Sequence, residues 1–400
     1  MGESNQVAVR ISAESVWGET PSSPTMQALL RTGGGVEGIT DTVVSNSVRS
    51  DRMRQNIYRT GKRSEGGYDF ELAYGQYDLI LEHGLCGSWS SAVAMAETTI
   101  SADTTDDSFN DSGSGFVSEG IQAGMWILVA GFANAGNNGL FKVGTVAAGK
   151  VVPSARIDLT TQLYSTTVQL TTEAAGASVT IKNAGMLRNG TTAKSLFVEE
   201  YHGDTTDFYQ YTGFRVNTLD LEIAAKSLVT GSFRGTGKTF DRTGATLSGS
   251  VTAVNANEAF NTSSHIWGIN EGDASCAESI QRIAMSLNNN TRYNDAVGNI
   301  FPVAIPYGTQ DLTGSLSVYN AAGTDALIDK YMDFTETEFS FVISNGSSPL
   351  YYVLSFPKLK LSKGAPQAGG LDEDTMADFE WTAYSGGNTY QIQIDRISTT

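Results

Sequence analysis

Two stretches decide the fold: GYDFELAYGQYDLILEHGL, from Gly67 to Leu85, and LTGSLSVYNAAGTDALIDKYM, from Leu312 to Met332. Each reads as a strand, a turn and a short amphipathic helix. In the first, Phe70, Leu72 and Tyr74 alternate with other residues, the period of a strand with one buried face. A helix follows from about Asp78 to His83, with Gly84 as its stop. In the second, Thr324 is placed to cap a helix from Asp325 to Met332, and Leu327, Ile328 and Tyr331 share one face of it. The likeness continues downstream. KSLFVEEYHGDTTDFYQYTGFRVNTLDLEI, from Lys194, parallels TEFSFVISNGSSPLYYVLSFPKLKLSKG, from Thr337. Both are a hairpin running into a strand marked by Phe and alternating Leu. Shared composition would produce likeness of residue type only. Here order and spacing agree as well, which points to a duplicated β-unit.

Working outward, alternation recurs at Val7, Val9 and Ile11, at Leu219, Leu221 and Ile223, at Phe339 and Phe341, at Phe356, Leu359 and Leu361, and at Ile392 and Ile394. Half-polar strands of this kind belong to antiparallel sheets. The segment Ala277 to Leu287, with Ile280, Ile283 and Met285, fits helix or strand poorly and is left open. Between the two parts of the first copy lies a stretch of different character, rich in Gly, Ala and Thr and opened by DTTDDSFNDSGSG. Its own strands are expected at Met125–Val129, Phe141–Val146, Arg156–Leu159 and Val168–Leu170. It reads as a small β module inserted into a loop, where insertions are best tolerated. The predicted organisation is therefore mainly β. Residues 1–98 and 187–245 form a first unit, 99–186 the inserted module, and 246–400 a second unit, each unit with a short helix.

Composition narrows the function. The chain has 400 residues and a formal charge of −17, and such a polyanion is repelled by nucleic acid, whose binding rests on Lys and Arg. A path that DNA slides along without sticking is compatible with that charge. Cys86 and Cys276 make no disulfide framework. The start, MGESNQVAVRIS, has neither a basic nor an apolar signal region, and no run of about 18 apolar residues marks a membrane helix. The expectation is a soluble protein made in a cytoplasm. His83, His202 and His265 lack partners at metal-ligand spacing, and no G-x-S-x-G turn occurs. SFRGTGKTF, Ser232 to Phe240, resembles a phosphate loop, but the required first glycine is displaced to Gly231 and no helix follows. A turn between strands is expected there. Asp103, Asp106, Asp107 and Asp111 match a calcium loop in composition only, since Asp111 and Val117 stand where Gly and Glu are needed. No catalytic residue, cofactor or metal is expected, and the chain is read as not an enzyme.

VWGETPSSPTMQALLRTGGG from Val16, SVRSDRMRQNIYRTGKRSEGGYDFELAYGQYDLILEHGLCGSW from Ser47, GFRVNTLDLEIAAKSLVTGSFRGTGK from Gly213 and DLTGSLSVYNAAGTDALIDKYMDFTETEFSFVI from Asp311 together resemble the tail tube proteins of long-tailed bacteriophages. The resemblance covers everything outside the insert. It implies β-sandwich or barrel units flanked by a short helix, subunits that form rings, and rings that stack into a hollow tube through which the genome passes. It also implies a virion location after synthesis in the host bacterial cytoplasm. The implied partners are further copies of the chain, the tail terminator, tape-measure and distal tail proteins, and genomic DNA in transit, with no membrane.

Within that resemblance, Ser15 to Pro24, with an exposed-looking Trp17 and with Pro21 and Pro24, is either an arm reaching a neighbouring subunit or a plain N-terminal coil. The basic run Arg49, Arg52, Arg54, Arg59 and Lys62 lies between predicted strands and is either a contact between rings or a solvated hairpin. Asp220 and Glu222, on the polar side of their strand, are candidates for charge facing the lumen. Two units per chain favour a trimeric ring with pseudo-sixfold symmetry, with a hexamer as the alternative. The module is expected on the outer wall. The rival reading is an Ig-like surface or tail adhesion protein that binds a host glycan or protein.

Overall fold

The structure, a computed structural model, describes residues 3–272, 274–275, 280–320, 324–345, 350–364, 366–367, 370–371 and 374–398. The first unit consists of β1 (Val7–Ala13), β2 (Gly33–Val44), β3 (Ile57–Glu71), α1 (Asp78–Gly84), β4 (Leu196–His202), β5 (Asp207–Ala224), β6 (Thr230–Gly237) and β7 (Thr239–Thr243). The second repeats this series as β8 (Ile266–Glu271), β9 (Ile280–Asn288), β10 (Asp311–Tyr319), α2 (Asp325–Met332), β11 (Glu336–Ser344), β12 (Leu350–Lys363), β13 (Met376–Ala383) and β14 (Gln393–Ser398). The pairings repeat too. β1–β4–β5–β7 in the first unit has its counterpart in β8–β11–β12–β14. β2–β3–β6–β5 has its counterpart in β9–β10–β13–β12. The fold is two tandem units, each with one short helix, plus an inserted β module.

β5 pairs with β9, so the two four-strand sets form one curled sheet in the order β2-β3-β6-β5-β9-β10-β13-β12. Alternation decides its faces. Leu219, Leu221 and Ile223 enter the core, as do Tyr68 and Phe70 from β3 and Leu312, Leu316 and Val318 from β10. One apolar cluster runs through both units, from Phe70, Tyr77 and Phe233 to Phe341, Phe356 and Trp381. Burying each such ring contributes roughly 1.5–3 kcal/mol. α1 lies directly on this core. A Cβ on Gly84 would stand 3.0 Å from Leu219 Cδ2, so the glycine allows the helix to approach β5 closely.

Burial also sets the register of the repeat. Counting from Gly67 and Leu312 places Phe70 opposite Ser315. The buried residues instead equate Phe70 with Leu316 and Leu72 with Val318, one residue along, because a one-residue slip would turn every side chain to the wrong face. Thr324 does not cap α2 with its side chain; its hydroxyl donates to the Tyr319 carbonyl at 2.9 Å. The ambiguous segment resolves as strand β9, with Ile283, Met285 and Leu287 buried in alternation; residues 276–279, including Cys276, lie outside the described residues. The glycine-rich SFRGTGKTF is mostly strand, β6 running into β7 across Lys238.

The module has its own eight-stranded sheet, reaching from Val93–Glu97 to Val179–Asn183. Trp126–Ala130 and Gly139–Ala147 match expectation, and a third strand runs Lys150–Ile157. Val168–Leu170 is not a strand. It is a buried loop, held where Leu170 N–H donates to Asp107 Oδ1 at 2.8 Å. Asp111 is likewise buried, accepting from Thr99 Oγ1 and from the amides of Gly113 and Gly115. The module stands on the second unit: Trp126, Leu128, Leu140 and Ile157 pack on Trp267, Val342, Val353 and Ile397.

Asp395, in β14, fastens that joint. It is fully buried and accepts hydrogen bonds from the Trp126 amide, Asn183 Nδ2 and Gln393 Nε2. Burial pushes its carboxyl up to about 7, against the pull of those donors. A folded value above the unfolded one means that the folded chain keeps a proton the unfolded chain has already lost. Stability from this group is therefore full below the unfolded value near 4 and is lost as pH rises through 7. Asp395→Asn is expected to match the native chain near pH 4 and to exceed it at pH 8 by roughly 2–4 kcal/mol. Thermal unfolding of both proteins across that range checks this, and parallel pH profiles would refute it.

Candidate functional site

Three surfaces carry the residues singled out by sequence. The first is the β2–β3 hairpin. Its inner half is pinned to the body, with Val36 buried and Arg63 bridging Asp41 and Glu65. Its outer half, from Thr42 to Thr60, is exposed along nearly its whole length. Arg49, Arg52 and Arg54 occupy the tip; Arg59 and Lys62 are in β3, not in a loop. Arg49 pairs locally with Asp51 at 2.5 Å, and Arg54 Nη1 reaches Asn46 Oδ1 at 3.2 Å. Lys62 Nζ lies 5.0 Å from the Phe240 ring centroid, against the body. Sequence reasoning missed the apolar part of this surface. Val48, Met53, Ile57 and Tyr58 are 99%, 63%, 62% and 54% exposed, scattered among arginines where no period exposes them.

The second surface is the N-terminal segment, and here an expectation fails. Trp17 is half-buried against its own chain. Its Nε1 donates to the Gly213 carbonyl at 3.1 Å, and the Lys238 ammonium and Arg215 guanidinium lie 4.8 and 5.3 Å from its ring. Such stacking favours the buried position. Glu14 adds a second tie, accepting from Gly213 N–H, Ser195 Oγ and Gly18 N–H; burial raises its pKa, partly offset by these donors. Pro21 and Pro24 are half-buried, and the chain then enters a short strand, Thr25–Leu29, beside β1.

The third surface is the polar face of the curled sheet. Because Leu219, Leu221 and Ile223 point into the core, Asp220 and Glu222 point the other way. They line a trough of about 800 Å3 with Asp69, Arg282, Ser286 and Glu380. Asp69 is compensated by Arg234 at 2.5 Å, Glu222 by Arg282 at 2.6 Å and Glu380 by Lys363 at 3.0 Å. Among the described residues Asp220 has only hydroxyl partners, Ser286 Oγ at 2.6 Å and Ser232 Oγ at 3.2 Å. The trough thus retains negative charge at its centre.

The histidines are dispersed: His83 on α1, bonded to the Leu79 carbonyl; His202 at the end of β4, 3.8 Å from Glu200; His265 ahead of β8, beside Asn261. Burial lowers the pKa of His83 and of His265. Among the described residues no group of three or more His, Cys, Asp or Glu could hold a metal ion, and no helix is long and apolar enough to cross a membrane.

No curated protein matches the chain. The family model described as phage tail tube protein matches residues 4–383. That span takes in the first unit, the module, the hairpin, the trough and the second unit as far as β13, and it sets a tail component above the Ig-like adhesion reading. The chain belongs to the phage tail tube protein family, a structural component of the virion tail.

Proposed function

We propose that copies of this chain assemble into rings, that the rings stack into a hollow tube, and that DNA passes along its bore during delivery to the host. The observation that carries this reading is the outer half of the β2–β3 hairpin. A two-stranded ribbon standing alone in water is marginal, and exposed apolar side chains gathered at one place mark an interaction surface. A neighbouring ring is the partner such a ribbon fits. Its apolar residues would be covered there, and Arg52 and Arg59 would meet carboxylates of an acidic subunit. Trp17 serves as an internal anchor for the N-terminal segment, leaving Pro21 and Pro24 to shape the chain beyond it.

The curled sheet supplies the bore. Its polar face carries Asp220 at the centre, and an anionic wall repels a polyanion within a Debye length of about 10 Å. One chain carries two like units, so three chains present six, which favours a trimeric ring with pseudo-sixfold symmetry over a hexamer. The module packs on the side of β11, β12 and β14 that faces away from the core, and this supports a place on the outer wall. Ring ends would meet the terminator, tape-measure and distal tail proteins.

Two outcomes follow. Replacing residues 46–55 by a short turn is expected to leave a folded subunit by circular dichroism that forms no tubes by negative-stain microscopy; tubes of native length would sink the stacking role. Tubes carrying Asp220→Lys and Glu222→Lys are expected to retain duplex DNA at low salt and release it as salt rises. Native tubes should retain none, and equal retention by both would remove these residues from the bore.

A further inference from the structure

One hairpin differs sharply between the two units. β9 and β10 are the counterparts of β2 and β3. Phe70 matches Leu316 in the core, so Gly66 matches Leu312, four residues earlier in each. Val36 faces Gly66 as Leu287 faces Leu312, and one step on Glu37 faces Glu65 as Asn288 faces Asp311. Beyond that step the first ladder runs from Gly38 and Ser64 out to Val44 and Ile57 and carries the exposed tip. The second ladder ends there. Residues 289–310 stand in the place of the projecting half but bend back onto the first unit. Their two limbs keep only scattered bonds, Gly308 N–H to the Asn289 carbonyl and Asn294 N–H to the Ala304 carbonyl, each 2.9 Å.

The sequence makes this bend. Asn289 is buried, and its Nδ2 donates to the Gly84 carbonyl at the end of α1 and to the Val216 carbonyl, at 2.8 and 3.0 Å. Its amide donates to the Asn217 carbonyl at 2.7 Å. The chain is thus tied to the first unit where the ladder would otherwise go on. Asn290 follows in the left-handed region, at φ 49°, which asparagine tolerates better than most residues. On the return limb Pro302 and Pro306 have no amide to give to a ladder.

Once bent back, the segment lies on the root of the first hairpin. Lys62 N–H donates to the Ile300 carbonyl at 2.7 Å. Tyr293 Oη donates to the Ser64 carbonyl at 2.8 Å, and its ring centroid lies 5.3 Å from the Arg63 guanidinium. Arg215 donates to the Ile305 carbonyl and lies against the rings of both Tyr307 and Trp17. Residues 62–64 are where the pinned inner half of the hairpin gives way to its exposed outer half. We infer that residues 289–310 are the second unit's arm turned inward as a brace, so that each chain sends out one arm and the brace fixes the angle at which it leaves the body. The inference rests on the ring-and-stack reading. A ribbon held at its root has less freedom to lose on docking, so docking costs less ordering. The asymmetry also sets how rings sit on one another. Three chains present six like units but only three arms. Turning a ring by a further sixth of a turn would bring each arm to the unlike unit of the next ring, so rings stack in one threefold register.

Both tips are open in the single chain, Met53 on the arm and Val297 on the brace, and this gives the test. In a Cys86→Ser, Cys276→Ser background, Met53→Cys and Val297→Cys are each labelled with a maleimide, as dispersed subunits and as tubes. Both thiols are expected to react in dispersed subunits. In tubes the Met53→Cys thiol should react several-fold more slowly, and the Val297→Cys thiol at its dispersed rate. Equal protection of the two would make residues 289–310 a second arm and overturn the inference. Tyr293→Ala, which removes the contact with Ser64 and Arg63, should leave ring formation unchanged and raise the concentration needed for tubes several-fold. Tubes at the native concentration would overturn the bracing role and leave the stacking reading standing. A Met53→Cys thiol that stays reactive in tubes, or a native chain that forms no tubes, would overturn the stacking reading and the inference with it.

Discussion

The ladder between β5 and β9 is the constraint on which the rest depends. β5 belongs to two sheets: residues 207–214 pair with β4 and β7, and residues 215–224 with β6 and β9. The change of sheet comes at register shifts near Leu196 and Val216, the kind of irregularity that lets a strand turn a corner. β12 does the same, with shifts near Thr337 and Leu361. A strand that turns this corner closes the core on one side and offers a naked flank on the other. In β5 the flank is filled by β9, and that single pairing makes one sheet and one core out of two units.

An unfilled flank is a liability in water, and the molecule treats its two ends differently. At β2 the backbone of Val36 is capped by Glu200 and Tyr211. Glu200 is in turn held by the Tyr68 hydroxyl at 2.5 Å, and burial, together with the Glu200 charge, raises the Tyr68 pKa well above the usual phenol range. At β12, among the described residues, no comparable side-chain cap covers Leu361, but Lys358, Lys360 and Lys363 crowd the strand, Lys358 paired with Glu336 and Lys363 with Glu380. Charge on an edge strand discourages pairing with a wrong chain.

Much of this was legible in the sequence because alternation and order survive folding. The strands at Val7, Leu219, Phe339, Phe356 and Ile394, both helices and the duplicated series follow from spacing alone. The register of the repeat did not, since Gly67 and Gly314 have no side chain to show which face they take. Trp17 looked exposed because its partners, Gly213, Arg215 and Lys238, lie about two hundred residues away. Val168 and Leu170 are apolar enough for a strand, yet the amides of Leu170 and Thr171 are satisfied by the Asp107 and Asn137 side chains, so no ladder is required there. Asp220 and Glu222 were placed correctly on the polar face by parity. That Glu222 is neutralised and Asp220 is not depends on Arg282 in β9, a strand the sequence left undecided.

The two units agree where they face the core and the curled sheet, and they diverge on their outer faces. On the second unit, Trp267, Val342, Val353 and Ile397 are apolar and covered by the module. On the first, the corresponding sheet carries buried Glu199, held by Arg10, Gln210, Thr246 and the Leu247 amide. A buried carboxylate with that many donors is tolerated, but it offers no apolar seat for a second module. The difference is consistent with the geometry. Ring closure needs like edges and like inner faces, because every junction must have the same curvature. The outer faces take no part in closure, so nothing requires them to match. A trimer built this way would present six similar units to the bore and only three modules to solvent.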